Sequence, residues 1–352
     1  MNFVDVHRNI PQMLFFTIWA KITILLWGRG TGKSVTMPTW IIENISEMPG
    51  CVGAVGTDSY KHLRKQIIPE FKRQWRIMGL AEGRDYWIDK FPPKHLGIPE
   101  ALRPPAVCEN HIFFRNGSVV KFFSFNFQAL ENGDSIDFLG IEEGKQVKPS
   151  RVNEILPCLR GNEDAEWAGK SCNKSVLIVS DMPDEVEGYY LLDFDDMMKP
   201  DLIDRIANMK AVITLAEEEL EAGKVDRKDK SEFVKKLEYL KSKLNDYRKD
   251  AVYVSYASTL ENLHALGLDV FANLKKSIRS LSKFRSSVMN ELPQQIKDCF
   301  YHLLSKEKHG YVALNKDYIT SLDDKTKDDC RWDTDTPSNE NLRIGMDYNA
   351  AI

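Results

Sequence analysis

Two stretches of this 352-residue chain hold residue types that can act on a phosphate. The first runs from Lys21 to Ser34. An apolar, β-rich run (Ile22 to Trp27) feeds the turn Gly28-Arg29-Gly30-Thr31-Gly32, which ends in Lys33-Ser34. Strand, glycine-rich loop and helix in that order form a phosphate cradle. Glycines let successive backbone N–H groups converge on an anion, and the helix N-terminus adds donors and partial positive charge. Lys33 is then placed to reach the β- and γ-phosphates of a nucleotide, and the Ser34 hydroxyl to sit on Mg²⁺. The full G-x-x-x-x-G-K-[ST] pattern wants glycine at position 27, where this chain has Trp27, with Gly28 one place later. Pro38 falls inside the helix expected to follow, where it removes a hydrogen bond.

The second stretch, Ser135 to Glu143, is an apolar strand ending in two acids, Glu142-Glu143. Alone these would be surface charges. Downstream of a phosphate loop, the first orients the water shell of Mg²⁺ and the second activates an attacking water. Aspartate is usual in the first place, and Glu142 has a longer arm. Asp137 is a rival metal ligand, although at the other end of the strand. A third polar strand end, Ser180 or Asp181 after the apolar run from Ser175, falls at the carboxyl edge of an α/β sheet, where ligands bind. Upstream, Gln12 either presents its amide to an adenine edge or is a polar loop residue.

The elements that must position these groups alternate. Cys51 to Gly56 reads as a buried strand, and Thr57-Asp58-Ser59 caps a helix from Tyr60 through Phe71. That helix carries Lys61, Arg64 and Lys65, either phosphate contacts or a solvated face. His111 to Phe125 reads as a hairpin about Asn116-Gly117. Between Asp201 and Asp250, Leu202, Ile206, Met209, Ile213, Ala216 and Leu220 repeat at spacings of four and three, as do Phe233, Leu237, Leu240, Leu244 and Tyr247 beyond a charged turn. This is an antiparallel helical hairpin, either packing structure or a contact arm. Ala251 to Tyr256 returns to β character, and a mostly helical stretch runs to about Leu304. The pattern is α/β: a central, mostly parallel sheet flanked by helices, with an inserted helical hairpin at about 201–250. Residues 321–341 read as a linker. Leu342 to Asn349 reads as a new strand bearing Asp347, so the chain is expected to be a fragment of something longer.

Composition bounds what such a protein does. Net charge is −4, from 48 Lys+Arg against 52 Asp+Glu, which excludes a general electrostatic grip on nucleic acid but allows a local basic patch. The six cysteines show no C-x-x-C spacing and read as reduced thiols. Lys21 interrupts the apolar run from Met13 to Trp27, which is short for a membrane span and reads as a helix or loop leading into a core strand. No membrane partner is expected.

Taken in order, these stretches resemble the large terminase subunit of tailed bacteriophages, the motor that packages viral DNA. Arg29-Gly-Thr-Gly-Lys-Ser34 matches that family's arginine-containing phosphate loop. Thr57 to Arg64 through Pro69-Glu70 looks like its second motif, and the Asn-Gly hairpin precedes the acidic strand as it does there. Ile141-Glu142-Glu143 takes the place of a hydrophobic-Asp-Glu motif. Ser180-Asp-Met-Pro183 resembles the motif coupling hydrolysis to movement. Tyr256 to Asn262 and Asn290 through Tyr301 look like the family's helical linker, and Ile344 to Asp347 like the first strand of its RNase H-like nuclease.

The resemblance implies a P-loop NTPase domain over 1–320, with the linker subdomain at about 257–320 and a truncated nuclease domain at 342–352. It implies an ATP hydrolase with Mg²⁺ as cofactor, in which Gln12 reads adenine and Arg29 (or, more weakly, Arg160) stabilises the transferring phosphoryl group. Ser180 joins the nucleotide-binding set, and Asp347 binds metal in an incomplete nuclease site. The implied partners are double-stranded DNA, a homo-oligomeric ring, the portal protein and the small terminase subunit, in the host cytoplasm on a procapsid. Two rivals are another P-loop nucleic-acid motor (a helicase or replication ATPase) and a non-catalytic module with a decayed nucleotide site.

Overall fold

A computed structural model describes residues 7–126, 134–184, 186–226 and 228–292. The linker at 321–341, the strand bearing Asp347, Cys299 and Cys330 lie outside the described residues. Four described cysteines (51, 108, 158 and 172) are free thiols.

The chain opens with α1 (Ile10–Ile18), capped by Asn9 and stopped where Trp19 turns left-handed at φ 49°. The apolar run from Met13 to Trp27 is thus a helix, a tight corner and a strand. β1 (Ile22–Trp27) leads through the glycine loop into α2 (Lys33–Glu47). β2 (Val52–Thr57) follows, then the single turn α3 (Tyr60–His62), a π-helical segment at Leu63–Ile67, and α4 (Ile68–Ile77). The sequence suggested one uninterrupted helix from Tyr60. Pro69 has no N–H for a regular helical bond, and the preceding turn widens so that the Ile68 amide donates to the Leu63 carbonyl, five residues back. Pro38, by contrast, is accommodated within a continuous α2.

A short edge strand, β3 (Tyr86–Ile88), pairs antiparallel with β4 (His111–Phe114), which pairs antiparallel with β5 (Val119–Ser124) through the Asn116-Gly117 turn. β6 (Phe138–Glu142), α5 (Pro149–Ile155) and β7 (Ser175–Ser180) follow. The connection from β7 to β8 (Val252–Ala257) carries the expected hairpin, α6 (Pro200–Glu221) against α7 (Lys230–Lys249). Beyond β8 come α8 (Leu263–Leu266), α9 (Leu268–Ser277) and α10 (Leu281–Ser287).

The eight strands form one sheet in the order β3-β4-β5-β2-β6-β7-β1-β8, and the six from β5 to β8 pair in parallel. A parallel sheet buries both faces, which explains the unbroken apolar runs. Leu25 and Trp27 point to the side of Trp40, Phe71, Trp75 and Phe138 on or under α2 and α4. Ile24 and Leu26 point to the opposite side, with Ile141, Ile178, Val152 and Ile155. The hairpin's repeat closes a third cluster, in which Ile206, Ile213, Leu237 and Leu244 cover Ile18 and Tyr253. No described helix is long and apolar enough to cross a membrane.

Candidate functional site

Register fixes the site. Leu25 of β1 lies beside Val179 of β7, and Val179 beside Glu142 of β6. With strands about 4.8 Å apart, the loop after β1 and the acids ending β6 are only about 10 Å apart, on the carboxyl edge of the sheet. The loop and Glu143 open onto one cleft of about 1120 Å³, lined among others by Arg29, Gly30, Gly32, Lys33, Ser34 and Asp181, whereas Glu142 is buried and does not line it.

The loop is built as an anion cradle. Gly32 is the N-cap of α2 at φ +97°, with no side-chain cap, so the first-turn amides of Lys33 and Ser34 keep the donors that every helix start leaves over. Several carbonyls of the loop and of the end of β1 are bonded to side chains. The carboxamide Nδ2 of Asn9 donates to the Thr31 carbonyl at 2.7 Å, that of Asn262 to Gly30 at 2.7 Å, and that of Asn290 to Leu26 at 2.7 Å. The Thr259 hydroxyl donates to the Arg29 carbonyl at 2.7 Å. α1 and the α8–α10 segment therefore brace the loop together. Sequence spacing could not reveal this, because the bonds to residues 259–290 span more than 200 positions.

Trp27 explains its own departure from the glycine pattern. It is the last residue of β1, in register with Ala257, and its indole is fully buried with Nε1 donating to Ser255 Oγ at 2.9 Å. Its backbone needs no left-handed turn.

Lys33 folds back on the loop, donating to the carbonyls of Trp27 and of Gly28 (3.0 Å) and pairing with Asp181. Asp181 also lies 4.0 Å from Arg29 and 3.9 Å from Lys145. One buried carboxylate thus gathers three cations. Of the two candidates after β7, it is Asp181 that lines the cleft. Ser180, the expected nucleotide ligand, is buried behind it and accepts the Lys145 amide at 3.1 Å.

Glu143 sits at φ 55°, ψ 47°, a left-handed conformation that costs a non-glycine residue about 1 kcal/mol or more. The bend swings its side chain into the cleft. Burial raises its pKa, Asp181 adds to the rise, and Lys33, Lys145 and His62 oppose it. Glu142 is buried more deeply. Burial and Glu143 push its carboxyl up to about 8, with Lys33 as the opposing charge. Asp137, the rival metal ligand, is out of reach at the far end of β6. It is fully buried, pairs with Arg103 and accepts the Val52 amide at 2.7 Å.

Three more of the singled-out residues lie off the cleft. Gln12 is beside the loop but does not line the cleft. Its Oε1 accepts the Asn9 amide at 3.1 Å in a capping box, and its Nε2 donates to the Gly32 carbonyl at 3.2 Å, so both ends of the amide are held by the protein. Arg160 likewise does not line the cleft, and its Nε donates to Pro157. Arg64 turns away as well, to Asp89 and Asn110. The wall that the second motif presents is instead His62, Gln66, Glu70 and Arg73, with His62 Nδ1 2.9 Å from Asp58 Oδ1. Their spacing of four, four and three is a helical face that the sequence does contain.

Phosphate loop after the first strand, acids on a strand two places across, and a parallel sheet between them define the P-loop NTPase architecture. No protein-family model matches the chain, and no curated protein matches it. Among solved structures, the chain is similar to the large terminase of a thermophilic bacteriophage, at 10% identity and TM-score 0.49 over 86% of this chain. The same phage protein in complex with ATP-gamma-S gives 11% and 0.48. The large terminase ATPase domain of Thermus phage P74-26 gives 14% and 0.43, covering 82% of this chain and 94% of that one. The chain spans 57% of the length of the first of these terminases.

Proposed function

We propose that this chain is the ATP-hydrolysing motor part of a viral large terminase subunit, coupling hydrolysis to movement of double-stranded DNA. The observation that carries the catalytic half is the convergence of Lys33, Glu143 and Asp181 on one cleft at the carboxyl edge of the sheet. The loop amides and Lys33 hold the triphosphate, and Arg29, half-exposed at the cleft mouth, adds charge where the phosphoryl group transfers. Glu143, whose side chain lines the cleft and whose pKa burial raises, takes the proton of the attacking water. Ser34 on the cleft and Glu142, buried at the end of β6 just behind it, are the oxygen donors that would hold Mg²⁺, which would neutralise phosphate charge. Glu142 fits that task because its buried carboxylate lacks a full counter-charge.

The DNA-packaging half rests on the ordered motif set from Arg29 to Ser180. It carries with it a homo-oligomeric ring, the portal and small-subunit partners, and a separate metal-dependent nuclease centre to which Asp347 would belong. Turnover and nucleotide binding measured with DNA present test the catalytic half. Lys33→Ala should lose binding, whereas Glu143→Gln should keep it and lose about 10²–10⁴ in rate. Hydrolysis that survives both changes removes the mechanism.

A further inference from the structure

We propose that Lys145 is a second phosphate-contacting lysine of this site, holding the terminal phosphoryl group from the wall that carries Glu143. The inference rests on the nucleotide reading above and adds a residue to it.

The left-handed bend at Glu143, followed by the 3-10 turn at Gly144–Gln146, brings three side chains to the cleft, Glu143, Lys145 and Gln146, of which Lys145 is the cation. Lys145 is anchored at its backbone, where its amide donates to Ser180 Oγ at 3.1 Å, and its side chain is only 15% exposed. Solvated surface lysines are not held this way. Its ammonium lies 3.9 Å from Asp181 and 3.3 Å from Asp184.

Lys33 and Arg29 gather around that same Asp181 carboxylate. A lysine ammonium is a compact point charge with three rotatable donors on a flexible stem, so it can meet a phosphate oxygen as well as a carboxylate. The three cations therefore mark a place in the cleft that favours negative charge, and Lys145, held between Asp181 and Asp184, is one of them.

Position decides which phosphate Lys145 meets. A general base must stand within hydrogen-bond reach of the water it activates, and that water attacks the terminal phosphorus. Lys145 shares the wall of Glu143, so it meets the phosphoryl group that ADP lacks. Lys33, rooted in the loop, serves the phosphates of both nucleotides.

Binding of ADP and of a non-hydrolysable ATP analogue with Mg²⁺, followed calorimetrically, tests this. Lys145→Ala should weaken the triphosphate at least about tenfold, the loss of one charge-assisted hydrogen bond, and leave ADP within about twofold. Lys145→Arg should recover most of the loss, and Lys33→Ala should weaken both nucleotides. Matching melting midpoints for parent and Lys145→Arg establish that the site is folded. Equal losses for both nucleotides in Lys145→Ala, or none, overturn the assignment while leaving the ATPase reading intact. A parent protein that binds neither nucleotide overturns both.

Discussion

A methyl group placed on Gly28 would stand 2.6 Å from the carbonyl oxygen of Val288. That carbonyl already accepts the Thr259 amide at 2.9 Å and cannot retreat freely. The glycine at the head of the loop is therefore there for close approach of a distant segment. Gly28→Ala should cost about 1–3 kcal/mol in chemical denaturation, the range for overfilling a packed site. Trp27→Gly, which would complete the phosphate-loop pattern, should be worse, at about 3–5 kcal/mol, because it empties a fully buried indole site and removes its bond to Ser255. A neutral or stabilising Trp27→Gly would contradict this account.

Gln12 offers a test of what its amide does. Because both ends are bound within the capping box and to Gly32, Gln12→Ala should cost about 1 kcal/mol of stability, as cap losses do. Its effect on ATP and GTP affinity should be equal. A selective loss of ATP affinity would show that the amide leaves the loop and reads adenine after all.

The pair Arg103 and Asp137 should matter to folding and not to catalysis. Removing one partner of a buried ion pair strands the other, and Arg103→Ala should destabilise by about 3 kcal/mol. ATP affinity and its Mg²⁺ dependence should stay unchanged. A shifted Mg²⁺ requirement would return Asp137 to the metal site.

Glu142 predicts a pH dependence with a definite sign. Its folded pKa is pushed up to about 8 from 4.5, so the folded protein keeps a proton that the unfolded chain releases. Stability from this group is present in full below pH 4.5, falls as pH rises, and is lost above about 8. In metal-free buffer, urea denaturation of Glu142→Gln should lack this decline, and the variant should gain on the parent between about pH 5 and 8. Mg²⁺ added at about pH 8 should restore the parent and leave Glu142→Gln unmoved, since a cation offsets the buried charge. Parallel pH profiles for the two proteins would refute the assignment.

What the sequence by itself determined was local or periodic. The run Ile22–Trp27 feeding a glycine loop, the Asn116-Gly117 hairpin, and the repeat of spacings from Leu202 to Tyr247 each state their own structure, because backbone freedom and side-chain period are properties of neighbouring residues. Pro69 did not interrupt the helix read from Tyr60, and only the folded chain turned its missing donor into a π-helical turn.

Tertiary structure alone decided the rest. Register across three strands brought Glu142 level with Leu25, and only then did Asp181, in place of Ser180, take the cleft. Nothing near Gly28, Gly30 or Gly32 in the chain says that Val288, Asn262 and Gln12 will meet them. Those contacts depend on which surfaces pack once both faces of the sheet are covered, and packing is a property of the whole fold.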